Sequence, residues 1–342
     1  MTTKKATLFG AALAVASIPT GGAYAADLTI SLWGGGYAED FTKHLIEPFE
    51  ADNNVEIVVD GGRSSERLSK LIATKGRGTD VVFLSDFQMY EAYQRGLIAN
   101  LNPENAPNLA NLRDFAKDPM GGGSCPAFVV LGAGLAYNTD EFGDGAEFSW
   151  ADLLRTDLKG KAGYPDIGIS YATMLAVKMA ELNGGGIDNI APGLDAVKSA
   201  KDSIQFYQNA QILESVVRGD VSMAPELNIF VRKEDGIPMD FAWPEEGGIG
   251  ILNLMCVVEG SPNAELAEKF INYMMSDEVQ TKLLVEQGET PVSANVDFSA
   301  VEPSSNSLSI DDLEKLNFWD IKTIAANKAD WVQLWQETVI AN

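Results

Sequence analysis

Short apolar runs alternate along the chain with segments whose apolar residues recur every three or four positions. This alternation predicts repeated strand–loop–helix units. Residues 28–33 read as a strand, followed by three glycines and a helix from about residue 38 with Phe41, Leu45 and Phe49 on one face. A strand at 55–59 leads through a Gly-Gly-Arg-Ser-Ser turn to a helix carrying Leu68, Leu71 and Ile72. A third strand at 80–84 precedes a helix that runs to Arg95, with Gly96 as its C-cap. Further on, Ser149 is an N-cap, 162–169 a strand and loop, 171–182 a helix, and 193–209 another helix. An amphipathic helix is expected at 263–275, and residues from Asp311 to the end read as helical.

The repeated order predicts an α/β fold with a mixed, mainly parallel sheet flanked by helices. Ligands of such sheets bind beyond the carboxyl ends of the strands. Trp33 to Tyr37, Arg63 to Ser65, and Ser85, Asp86 and Phe87 all fall at those ends. The glycines at 34–36 lack the third glycine of the dinucleotide fingerprint and the Lys-Ser/Thr pair of a phosphate loop. They suit a rim loop whose exposed N–H groups open a helix. No nucleophile elbow, zinc-protease helix or calcium loop is present, which favours a binder over an enzyme.

Lys4 and Lys5, the short apolar stretch 8–18 and the Ala-Tyr-Ala motif at 23–25 predict a signal peptide over residues 1–25, hence a periplasmic protein. Its removal takes away two lysines and no acid, so the net charge moves from −24 to −26. Such a surface disfavours nucleic acid and anionic membrane as partners. The remaining 317 residues exceed the usual size of one hydrophobic core and predict two lobes. With Cys125, Cys256 and His44 as the full complement of their types, no Cys/His zinc cluster can form. One disulfide and two isolated thiols both fit this count. His44 lies among Phe41, Leu45 and Phe49, where a structural role is expected.

Residues 238–249 read Pro-Met-Asp-Phe-Ala-Trp-Pro-Glu-Glu-Gly-Gly-Ile. An apolar strand through 251–258, Ser261-Pro-Asn-Ala, the helix at 263–275 and Gly288-Glu-Thr-Pro291 come next. In this order the chain resembles the extracellular solute-binding proteins of ABC importers, of the spermidine/putrescine-binding type. Trp33 and Tyr37, Tyr137-Asn138 and Ser149-Trp150-Ala-Asp-Leu extend the resemblance over essentially all of the mature chain.

The resemblance implies a two-lobed periplasmic-binding-protein fold of the second type. Lobe one is expected at 26–126 plus 254–298, lobe two at 127–253 plus 299–342. It sets Cys125 and Cys256 on neighbouring crossover strands, where a disulfide becomes plausible. It also implies a monomer that hands its small-molecule solute to an ABC permease in the inner membrane, with no cofactor. A sensor subunit and an enzyme on the same fold are the competing classes.

In that family aromatic rings surround the methylene chain of the solute and carboxylates take its ammonium groups. Trp33, Tyr37 and Ser85 match such positions, and Phe87 stands where a tyrosine is usual. The Trp-x-Asp of the hinge strand is replaced by Ile251-Leu252-Asn253, and the tyrosine expected after Gly288 is Glu289. Asp166, Tyr171 and Glu226 are further candidates, with Asp320 behind them. The expected ligand set is therefore Trp33, Tyr37, Ser85, Asp86, Phe87, Asp166, Tyr171, Glu226, Asn253 and Glu289. The expected solute is a small amine-bearing molecule, polyamine-like or amino-acid-like, with a neutral or anionic solute as the alternative. Adjacent tyrosines for ferric iron and a basic rim for phosphate are missing.

Overall fold

The three strands expected first pair with one another in parallel, and the strand expected at 251–258 joins them to a long fully buried strand that periodicity does not reveal. The computed structural model describes residues 27–207, 212–231, 236–300 and 308–341. The signal-peptide expectation lies outside them. The described strands are β1 Leu28–Leu32, β2 Ile57–Gly61, β3 Val81–Ser85, β4 Ala127–Asn138 and β5 Ala162–Tyr164, then β6 Ile204–Tyr207, β7 Met223–Leu227, β8 Met239–Ala242, β9 Ile249–Val257 and β10 Thr290–Pro291. They form one sheet in the order β2-β1-β3-β9-β4-β7-β5-β6, with β8 and β10 also paired to β4.

β1, β2 and β3 are parallel, as are β5, β6 and β7; β9 and β4 run antiparallel between the two groups. Three successive reversals from β3 through β9 and β4 to β7 therefore aim the carboxyl ends of β1 and β3 at those of β5 and β7. Every residue of β4 and β9 is buried, so these crossover strands read as continuous apolar runs rather than alternating ones.

The core divides where these strands cross. One cluster of buried residues holds members from Leu28 to Val130 and from Leu252 to Ile321; a second holds members from Leu131 to Ile251, Phe87 and the carboxyl-terminal residues Ile324 to Val339; a smaller third gathers Ala136, Ile212, Val216, Val221, Ala224, Val231 and Met239 beside the second. Cys125 and Cys256 are joined by a disulfide with their Cα atoms 4.8 Å apart, beside the crossover.

Several expectations need correction. The helix placed at 193–209 is Ala191–Ser199, after which the β-branched and aromatic run of β6 pairs in parallel with β5; residues 208 and 209 lie outside the described residues. The carboxyl-terminal helix is broken into Ile310–Glu314 and Ile321–Trp335, because Asp320 caps the second piece through the backbone N–H of Thr323 at 3.0 Å. Ser149 does cap, but it opens a 3-10 turn, Trp150–Leu154, rather than an α-helix. The helix Asp277–Gln287, capped by Ser276, carries a mixed pattern and was not expected. His44 is part of a π-helical turn, Thr42–Ile46, with its Nδ1 3.7 Å from Glu286.

Candidate functional site

The loops after β1 and β2 pass so closely that a Cβ on Gly61 would lie 3.1 Å from the Cα of Gly34. Glycine at both positions lets the chain bring Trp33 and then Tyr37 to the end of the sheet. The Trp33 ring meets Tyr37 edge-on at 5.9 Å, and the Arg67 guanidinium sits 4.7 Å from its centroid. Arg67 is itself buried and donates to the carbonyl oxygens of Ser31, Phe83 and Gly62 and to Ser64 Oγ. It ties the ends of β1 and β3 together; burial lowers its pKa to about 10.

Glu289 reaches the same place from far along the chain. The helix Asp277–Gln287 ends at Gly288 with φ 65°, and the turn delivers Glu289 just ahead of β10. Tyr37 Oη lies 3.2 Å from each carboxylate oxygen. Burial pushes the Glu289 carboxyl up to about 7 against the opposing effect of the Tyr37 hydrogen bond. Burial first, and then Glu289, raises the Tyr37 phenol well above its ordinary value.

The other lobe carries a counterpart. Tyr171, in the first turn of the helix Ser170–Leu182, donates to the carbonyl of Pro225 at 3.3 Å. Glu226, next in β7, is buried, accepts from the Leu227 N–H at 2.8 Å, and is pushed up to about 7 by that burial. Burial and then Glu226 raise the Tyr171 phenol. Asp166 closes the preceding turn by accepting from Gly168 N–H at 2.8 Å and is half-buried.

The register relates the two acids. Val130 pairs with both Leu252 and Thr290, and Ala133 with both Ile249 and Leu227, so β10 and β7 share the edge of β4 that β9 leaves free. Glu226 opposes Gly134, and Glu289 precedes the residue opposing Val130. That places their backbones about 10 Å apart along β4 at roughly 3.3 Å per residue. Among the described residues neither carboxylate has an ion-pair partner, although both are buried.

At the crossover, Ser85, Asn253 and Val129 are register partners and share one face of the sheet. Ser85 Oγ donates to Gln88 Oε1. Asp86 does not join them: it is buried, accepting from the backbone N–H groups of Phe87 at 2.8 Å and Leu252 at 3.4 Å, with the Lys328 ammonium near enough to favour its ionised form. Burial raises it to about 6. Phe87 packs into the second core cluster, with Lys328 Nζ 5.0 Å from its ring centroid. Asp320 is taken up by its capping bond and is not a buried acid of the cleft.

Sequence reading missed Arg67 and Lys328. Arg67 sits on the apolar face of its helix between Arg63 and Leu71, a mild signal for a buried cation. Lys328 carries no signal, since the helix that brings it to Phe87 comes from the far end of the chain. Among the described residues no three His, Cys, Asp or Glu side chains are grouped to hold a metal, and no helix is long and apolar enough to cross a membrane.

Residues 44–306 match a family described as bacterial extracellular solute-binding protein. The spermidine/putrescine-binding periplasmic protein of Escherichia coli (strain K12) is 24% identical over 265 residues, covering 74% of this chain and 75% of that one. The gamma-aminobutyric acid-binding protein of Pseudomonas aeruginosa is 25% identical over 294 residues, 82% of this chain and 79% of that one. A solved ABC transporter structure from Clostridium perfringens has the same fold, with a TM-score of 0.81 at 24% identity over 91% of this chain and 99% of the other.

Proposed function

This chain belongs to the bacterial extracellular solute-binding protein family, and we propose that it is a periplasmic receptor that closes on a small amine-bearing solute. It delivers that solute to an ABC permease, acts as a monomer and performs no chemistry on its cargo. The observation that carries this reading is the pair of buried, unneutralised carboxylates, one beside Tyr37 and one beside Tyr171. A buried carboxylate without a counter-charge is costly, and an ammonium group that hydrogen-bonds it removes that cost. Trp33 and Tyr37 supply ring faces and edges for the methylene chain.

We take the crossovers to lie where the core changes cluster, near 130–131, 251–252 and 321–324; the first two are a few residues from the lobe boundaries expected from sequence, whereas the third falls well beyond the expected 298–299, because Leu308, Leu313, Leu316 and Ile321 pack in the first core. A solute held by Glu289 in one lobe and Glu226 in the other has its full set of contacts only when the lobes approach. It therefore shifts the population toward the closed form by that difference in affinity.

A diamine suits two carboxylates; an amino-acid-like solute needs a cation for its own carboxylate. Arg67 has its donors committed to backbone carbonyls, and Lys328, over the Phe87 ring, has its charge balanced by Asp86 and Glu91, which favours the diamine. Calorimetry on unfolded and refolded protein, with diamines and ω-amino acids of graded length, tests the reading. Saturable 1:1 binding of an amine that weakens in both Glu226→Gln and Glu289→Gln supports it. Tight binding only of uncharged or anionic solutes overturns it.

A further inference from the structure

The carboxyl ends of β1, β2 and β3 lie far apart in sequence, yet one side chain reaches all three. Arg67, 3% exposed, donates from Nε to the Gly62 carbonyl at 3.0 Å and from Nη2 to Ser64 Oγ at 3.1 Å. Its Nη1 donates to the carbonyl of Ser31 at 3.2 Å and to that of Phe83. Ser31 belongs to β1 and Phe83 to β3, and Gly62 directly follows β2. A Cβ on Gly62 would lie 3.4 Å from Arg67 Cγ, so glycine there leaves the path of the arginine stem open.

The same guanidinium holds a ring. It sits 4.7 Å from the centroid of Trp33, which Tyr37 meets edge-on at 5.9 Å and Phe128 at 6.1 Å with a 37° tilt. Trp33 is only half-buried, so its ring depends on such neighbours for one orientation. Among the described residues no carboxylate forms an ion pair with Arg67; Asp60, which acts on it from farther away, is paired with Lys70 at 2.7 Å. A buried charge without a close counter-charge is costly. Lysine would carry the same charge without the planar fork that bonds two carbonyls and stacks on an indole.

We infer that Arg67 is a positioning residue for the first lobe's half of the cleft, an assignment that rests on the cleft reading above. It fixes the Trp33 ring and the three rim loops before solute arrives. With the protein's own cation on the indole, the ring meets the carbon chain of a solute rather than its ammonium group. Binding then has no ring left to order, which is worth roughly two- to tenfold in affinity for one such side chain. Charge alone predicts the opposite sign, because removing a buried cation beside the cleft would tighten the hold on a dication.

The test uses the full mature chain with 5-fluorotryptophan at its six tryptophan positions, the Trp33 fluorine line being assigned with Trp33→Phe. Without solute, that line is expected away from its position in the unfolded chain. It should move toward that position in Arg67→Lys and Arg67→Met, while the remaining lines stay in place and show that the fold is kept. Calorimetry with 1,4-diaminobutane should give roughly two- to tenfold weaker binding to both variants. A Trp33 line unchanged in both variants, or tighter diamine binding by Arg67→Met, would overturn the assignment. If neither variant folds, the unsubstituted protein decides: an Overhauser contact between Arg67 Hε and the Trp33 ring protons is expected without solute, and its absence sinks the idea. Failure of the unsubstituted protein to bind any amine counts against the proposed solute, while the solute-free spectra still decide on Arg67.

Discussion

Tyr37 Oη stands 3.2 Å from both carboxylate oxygens of Glu289, joining the first helix of the chain to a turn 252 residues later. With Glu226 beside Tyr171, this gives each lobe one buried acid next to one phenol. Both acids are raised to about 7 by burial. An ammonium group binds the ionised form, so amine affinity should fall as pH drops below 7. The fall should approach tenfold per pH unit for each carboxylate engaged. Calorimetry from pH 5 to pH 8 in buffers of different ionisation enthalpy should show proton release near pH 7. A flat profile would remove these acids from the binding site.

Stability of the ligand-free protein should run the other way. A carboxyl whose folded pKa lies above its unfolded value holds its proton longer in the native state. Its stabilising effect is complete below the ordinary carboxylate range and is lost as pH rises to about 7. The loss is on the order of 3 kcal/mol for each acid by pH 8. Urea midpoints should therefore decline between pH 4.5 and pH 7, and Glu226→Gln and Glu289→Gln should each flatten the decline.

The disulfide closes a loop of 131 residues. Restricting the unfolded chain over such a length is worth on the order of 4–5 kcal/mol in the chain-entropy account. The Cys125→Ser, Cys256→Ser double variant should melt several degrees lower while keeping its solute affinity, since both residues lie in the first core and outside the cleft. Equal calorimetric midpoints for the two proteins would show that the bond contributes nothing.

Gly193→Ala offers a contest between two magnitudes. Alanine in a helix is favoured over glycine by about 1 kcal/mol. Here, however, the new Cβ would lie 2.5 Å from the backbone N of Ala180 and 2.8 Å from the carbonyl carbon of Met179, where the helices Ala191–Ser199 and Ser170–Leu182 touch. Backbone cannot swing aside as a side chain can, and overpacking costs roughly 1–3 kcal/mol. A net loss of stability in urea denaturation is expected; a gain would show that the helices separate freely.

Local pattern carried the sequence reading through β1 and β3, short apolar runs bounded by turns, through β2, and through the helices at Ser64–Thr74 and Ala264–Met274, whose buried face recurs with the helical period. It failed at β4, buried throughout, and at β6, where an Ile-Gln-Phe-Tyr run was taken into the preceding helix. It brought Trp33, Tyr37, Glu226 and Glu289 forward one by one as candidates.

What the sequence determined by itself was the α/β alternation, the charge and the residue types available for binding, because these depend on neighbours within a few positions. Which acid meets which tyrosine was decided by tertiary structure alone. So were the diversion of Asp86 to the far face of β9 and the arrival of Lys328 at Phe87. The reason is physical: strand register across β4 and β9 sets these meetings, and a register is a relation between segments that no local period encodes.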